Sequence, residues 1–276
     1  VVPKKQIETH ASTRRSKSRT AGKLRPDGLI TCKSPSKKWS AFVEAKTAGN
    51  YLDPDQVKAY LKLAALNGVD AVITISSELT IHPSQNPVVA PKDVPKGVSL
   101  FHFSWLSLVT YASVLNNKKG IADLEQRLVM KDLRRFIASE ESKLIGAMTM
   151  SSSWADLVKS FHEQVNVPSG SGLLEDVAED WLELERYLEL SFCSFLGEEV
   201  KISRERKFAA DSSAYRQKVL QGLIADKQLK LDLSVPNAAG PLNLTVDLYA
   251  KSLLLSMRVD VQQDCRPKTS VTWFLN

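Results

Sequence analysis

The chain has 276 residues, 43% of them hydrophobic and 25% charged, the composition of a globular protein with room for one large or two ordinary domains. No apolar run approaches the roughly 20 residues that span a bilayer, and VVPKKQIETH is too polar for the core of a signal peptide; no membrane association and a cytoplasmic location are expected. The net charge of +6 sits at one end, with twelve Lys or Arg against three acids in residues 1–50 and a net negative remainder.

In chain order, PKKQIETHASTRR has a weak helical pattern around Glu8, and the lack of an initiator Met raises the expectation of a trimmed N-terminus. The basic run that follows reads either as a solvated arm or as a phosphate-binding one. Lys and Arg gain affinity for nucleic acid by releasing its condensed counterions, which makes Arg14, Arg15, Lys17, Arg19 and Lys23 the candidates. Residues 24–31 and 39–47 read as two strands of a hairpin, with KSPSKK as the turn.

A helix is expected from Pro54 to about Leu66, with Asp53 as N-cap, Pro54 at the first position and Asn67-Gly68 as the stop. VDAVITIS reads as a buried central strand and GVSLFHF as another, leading into the apolar helix of SWLSLVTYASVL. This order predicts a mixed α/β sheet with at least one helix crossover. A further helix, IADLEQRLVMKDLRRFIAS, places Leu124, Leu128, Phe136 and Ile137 near helical spacing, and SSSWADLVKSFHEQ is a helix capped by serine.

NVPSGSG, residues 166–172, reads as a linker, dividing the chain into domains at 1–165 and 173–276. Beyond it lies an acidic helix and then period-two runs: Leu229, Leu231, Leu233, Val235; Leu242, Leu244, Val246, Leu248; Leu253, Leu255, Met257, Val259, Val261; and Val271, Trp273, Leu275. Such alternation predicts an α+β domain with an antiparallel meander.

The chemistry concentrates in RPDGLITCKSPSKKWSAFVEAKTAGNYLDPDQVKAY. Glu44 and Lys46 share one face of their strand. Folding the hairpin about Pro35 sets Asp27 opposite Val43, one residue short of Glu44, so a one-residue bulge is expected to bring the two carboxylates together. Two carboxylates meeting there repel unless a cation lies between them, and hard oxygen ligands suit magnesium. Metal plus a neighbouring ammonium is what phosphodiester hydrolysis needs. The competing reading makes Glu44 and Lys46 an exposed ion pair and Asp27-Gly28 a simple turn.

The set Pro26-Asp27, Glu44-Ala45-Lys46, then the capped helix and β-branched strand resembles the PD-(D/E)XK nuclease superfamily over roughly residues 20–112. The resemblance implies a restriction-endonuclease-like mixed sheet flanked by helices. It also implies that Asp27 and Glu44, with the carbonyl of Ala45, hold Mg2+ or Mn2+, and that Lys46 serves the attacking water. Some branches add QxxxY on the next helix, matched by Gln56 and Tyr60, which lie one turn apart and share a face. Gln56 also reads as the N3 residue of a capping box, and Tyr60 as a core residue. Many members carry a further acid on a helix before the first strand; the one acid upstream of Asp27 is Glu8.

The four histidines are scattered without zinc spacing, the three cysteines (Cys32, Cys193, Cys265) lack a CxxC pair, and no GxxxxGK[ST] occurs. His102 reads as a partly buried strand residue, and KISRERKF as a charged surface strand or loop. The expectation is a metal-dependent deoxyribonuclease of DNA defence, transposition or repair. Lys33, Lys37 and Lys38 of the hairpin and Tyr60 would join the basic arm in holding nucleic acid, DNA rather than RNA. A homodimer or a partner supplying ATPase or targeting functions would complete it. The alternatives are a non-cleaving nucleic-acid-binding module or a partner-activated nuclease subunit.

Overall fold

The computed structural model describes residues 7–9, 24–47, 49–80, 82–117, 121, 123–145 and 148–259. Arg14, Arg15, Lys17, Arg19, Lys23, Cys265 and the run Val271, Trp273, Leu275 lie outside them. Two compact units divide the chain at Val1–Ala147 and Met148–Asn276.

The first unit holds a mixed five-stranded sheet whose strands lie side by side in chain order. β1 (Ile7–Thr9) pairs antiparallel with β2 (Gly28–Ser34), so Glu8 belongs to a strand and not to a helix. β2 pairs antiparallel with β3 (Lys37–Ala45), and the turn is only Pro35-Ser36, tighter than the six-residue loop expected. That turn moves the hairpin's centre half a residue, from Pro35 to between Pro35 and Ser36. Gly28 then faces Val43, and Asp27 comes level with Glu44 with no bulge required.

β3 runs parallel to β4 (Ala71–Ser76), and β4 parallel to β5 (Ser99–Ser104). A parallel step needs a crossover, and α1 (Pro54–Asn67) supplies it between β3 and β4. Asp53 caps α1 by accepting from the Asp55 N–H at 2.9 Å, Pro54 opens it, and Gly68 closes it at φ 64, a left-handed conformation that glycine adopts without a Cβ penalty. Val57, Tyr60, Leu61 and Ala64 of α1 pack on Val72 and Leu100, with Phe42 beside them. Phe42, Val72 and Leu100 are register partners and so share the face that α1 covers.

The next row on that face is polar. Glu44 pairs with Thr74 and Thr74 with His102, and one step further Ser76 pairs with Ser104. All five are buried. Apolar residues under the helix thus give way to polar ones toward the carboxyl ends of three parallel strands, where α/β sheets bind their ligands.

α2 (Trp105–Asn117) and α3 (Leu124–Ala138) complete the unit, with Ile137 buried beside Val109 and Leu144. Of the stripe expected on α3, Leu124, Leu128 and Phe136 are instead more than half exposed. Apolar spacing marks a helix without telling which of its apolar residues a neighbour covers.

The second unit contains α4 (Ser152–His162), α5 (Gly172–Leu196), β6 (Lys201–Ile202), α6 (Arg206–Ala210), α7 (Ser212–Ala225) and β7 (Gln228–Ser234), β8 (Leu242–Asp247) and β9 (Ser252–Met257). Its sheet is antiparallel in the order β6-β7-β8-β9. Leu229, Leu231 and Leu233 alternate buried with exposed neighbours, as period two requires. The unit boundary falls near residue 147, not at 166–172. α4 packs on α5 with Leu157 and Phe161 buried, and Ser151 and Ser153 donate to Asp180 and Asp176 of α5 at 2.6 and 2.7 Å. NVPSGSG is therefore the α4–α5 connection, with Ser171 as the cap of α5.

KISRERKF is split between β6, a short link and α6. Arg204 from that link is not a surface charge: it donates to the fully buried Glu185 at 2.8 Å, and the Tyr215 hydroxyl donates to the same carboxylate at 2.7 Å. Burial pushes the Glu185 carboxyl above its ordinary range against the pull of these two partners. Among the described residues no helix is long and apolar enough to cross a membrane.

Candidate active site

Four residues singled out by sequence form one hydrogen-bonded chain at the carboxyl end of β3. The Lys46 ammonium donates to Glu44 Oε1 at 2.6 Å and to Gln56 Oε1 at 3.0 Å. The Gln56 amide donates to the Tyr60 hydroxyl at 2.9 Å, and that hydroxyl donates to the Arg25 carbonyl at 2.9 Å. A phenol has one proton. Because Tyr60 gives its proton to Arg25, it can only accept from Gln56, which turns the amide oxygen toward Lys46.

This decides the two readings of α1's first turn. Asp53 caps the helix alone, and Gln56, instead of reaching back to it, spends both ends of its amide on the site. Tyr60 belongs to both readings, with its ring in the core and its hydroxyl in the chain. Burial, reinforced by the charges of Glu44 and Asp27 and opposed by Gln56, raises its pKa to about 12.

Asp27 sits at the entry to β2, where Oδ2 accepts from the Ala45 N–H at 2.9 Å and ties the aspartate to the strand that carries Glu44. Glu44 is 3% exposed, and its second oxygen, Oε2, is buried without a hydrogen-bond partner. In place of the exposed ion pair of the competing reading, the carboxylate is buried and its lysine partner half-buried. An orphaned buried carboxylate oxygen is costly unless something neutralises it.

The backbone around Lys46 is fixed from two sides. Its N–H donates to Ile75 at 2.7 Å, and the Trp105 indole N–H donates to its carbonyl at 2.8 Å. Trp105 was visible in sequence only as the start of an apolar helix; a tryptophan directly after a strand is the signal that would have pointed to it. His102 is buried rather than partly so: Nε2 faces the Glu78 carbonyl at 2.9 Å and Nδ1 the Thr74 hydroxyl at 3.0 Å. Burial lowers its pKa and keeps the ring neutral.

Comparison with protein-family models, curated proteins and solved structures returns no match to this chain.

Lys33, Lys37 and Lys38 are exposed at the tip of the hairpin. The pair Lys33 and Lys38 lies five register steps from Gly28 and Val43, about 17 Å along the strands, so these lysines do not line the site. Among the described residues no group of three or more His, Cys, Asp or Glu side chains converges on a common point. Asp27 and Glu44 are a pair, and any further oxygen ligand has to come from backbone, as at Ala45, from water or from substrate. The orphaned Glu44 Oε2, with Asp27 tied to the next residue of the same strand, has the chemistry of a site for a hard divalent cation of the magnesium type, which accepts one or two carboxylates and fills its remaining positions with water and phosphate.

Proposed function

We propose that the N-terminal unit is a restriction-endonuclease-like, metal-dependent nuclease that hydrolyses phosphodiester bonds in DNA. The observation that carries this reading is the buried Glu44 carboxylate, paired on one oxygen with Lys46 and left without a partner on the other, level with Asp27 across the hairpin. A binding platform has no physical use for two carboxylates turned toward a polyanion.

Mg2+, with Mn2+ as a substitute, would be held by Asp27, Glu44 and the Ala45 carbonyl, and when bound would shield the phosphate and lower the pKa of water. The protein's own residues do the rest. Lys46 places a positive charge beside the position where negative charge develops on the phosphate, and orients the attacking water. Gln56 holds the Lys46 ammonium independently of Glu44 and would keep it in place were Glu44 to hold a cation. Tyr60 fixes the Gln56 amide, and Arg25, one residue before Pro26-Asp27, anchors Tyr60.

The test is cleavage of supercoiled plasmid, single-stranded DNA and RNA with Mg2+ or Mn2+, comparing the protein with Glu44→Ala and Lys46→Ala. Metal-dependent cutting of DNA, lost in both variants, is the expected result. Binding without cutting by the unmodified protein would replace the hydrolase with a platform or a subunit that needs its partner.

A further inference from the structure

We infer that Tyr51 is a nucleobase-stacking residue, and that the substrate therefore presents unpaired bases beside the scissile phosphate. The inference rests on the hydrolase reading for its location and on the loop's own construction for its chemistry.

The Lys46–Gln56 hydrogen bond closes a loop, and Tyr51 stands midway along it. The described residues of that loop are anchored at several points. Its start is held by Ile75 and Trp105 through the Lys46 backbone. Asn50 closes a turn onto Thr47, through its N–H to the Thr47 carbonyl at 3.0 Å and through its side chain to the Thr47 hydroxyl at 3.2 Å. Gly49 supplies the left-handed φ of 82. Leu52 is buried in the core under α1, and Asp53 is the cap of that helix.

Between these anchors the Tyr51 side chain is 77% exposed, while Tyr60 on the helix that follows is buried. Burying an aromatic ring of this size is worth about 1.5–3 kcal/mol. The core takes Leu52, next to it, while the fold holds Tyr51 in water.

Tyr51 lies five positions after Lys46, which caps their Cα separation at about 18 Å, and five before Gln56, whose side chain bonds Lys46. A flat aromatic face at that range from a phosphate-handling lysine meets the bases flanking the bond to be cut. In a duplex the base faces are covered by their neighbours. An unpaired base has a free face, and every base stacks on an aromatic ring whatever its identity. The loop therefore favours single-stranded tails, flaps or ends over continuous duplex, without reading sequence.

The test uses the full chain with Mg2+ and two labelled DNAs of equal sequence, one a blunt duplex and one carrying a single-stranded tail. The tailed DNA is expected to be cut preferentially. Tyr51→Ala should lose roughly tenfold on it through KM, and Tyr51→Phe should retain activity because the ring suffices. An abasic position flanking the cut should lower the unmodified protein to the level of Tyr51→Ala and leave that variant unchanged. Equal cutting of both DNAs by the unmodified protein, or no effect of Tyr51→Ala on the tailed one, would overturn the inference.

A metal-free readout separates this outcome from failure of the hydrolase reading. Tyr51 should quench the fluorescence of 2-aminopurine placed in the tail, and Tyr51→Ala should not. Quenching with no cutting by any form would remove the hydrolase and keep the stacking residue. No quenching removes the stacking residue.

Discussion

Glu44 is costly to keep where it is, and the residues around it explain how the cost is met. Lys46 neutralises one oxygen, Gln56 holds Lys46 and is itself held by Tyr60, and the other oxygen has no hydrogen-bond partner. Tyr60→Phe tests whether the chain is as connected as its geometry says. It preserves the ring in the core and removes the hydroxyl, leaving the Arg25 carbonyl without that donor, the Gln56 NH2 without its acceptor and the amide free to turn over. A loss of about 0.5–1.5 kcal/mol in urea unfolding is expected, together with a lower cleavage rate that Lys46 cannot recover. Unchanged cleavage would show that Gln56 does not depend on Tyr60 for its orientation. At this scale residue type and hairpin spacing single out Asp27, Glu44 and Lys46, the resemblance adds Gln56 and Tyr60, and the last four of these meet in one hydrogen-bonded chain. Which reading of Gln56 holds was not legible, because an amide at N3 suits a capping box or a site equally, and only the position of Lys46 decides between them.

Among the elements, α1 does most to place the site. It bridges the parallel step from β3 to β4, covers the apolar row of the sheet and presents Gln56 and Tyr60 to the polar row beside it. Its ends were readable in DPDQ and NG because caps are local chemistry. Asp53→Ala should cost about 1 kcal/mol by chemical denaturation, and should weaken cleavage as well, since the first turn that frays is the one carrying Gln56. A stability loss with full activity would mean that the site does not need the first turn fixed. The hairpin was less legible. Its register depends on whether the turn has two residues or more, and Pro35-Ser36 makes a tighter turn than the KSPSKK composition suggested. The row from Glu44 through Thr74 to His102 was out of reach, because it follows from parallel pairings between strands far apart in sequence. α3 shows the same limit from the other side, with a helical pattern that was read and a covered face that was not.

The whole molecule separates into two units with separate cores, one around Leu61 under α1 and one that includes Trp181 and Leu223. Their division was misplaced by sequence because NVPSGSG has the composition of a linker while serving as a connection between two packed helices. Separate cores predict separable damage. Leu61→Ala should destabilise the first unit by about 2–5 kcal/mol and leave the second unit's protection from hydrogen exchange unchanged, and Leu223→Ala should do the reverse. Loss of protection in both units from either substitution would show that they fold as one. The site lies wholly in the first unit.

The most direct measurement is Mn2+ binding, followed by electron paramagnetic resonance, to the metal-free protein, Glu44→Gln and Asp27→Asn. The account predicts one bound ion in the unmodified protein and tenfold or greater weakening in each variant, because each removes one of the two charged oxygen donors. Binding that is absent, or equal in all three proteins, would contradict it.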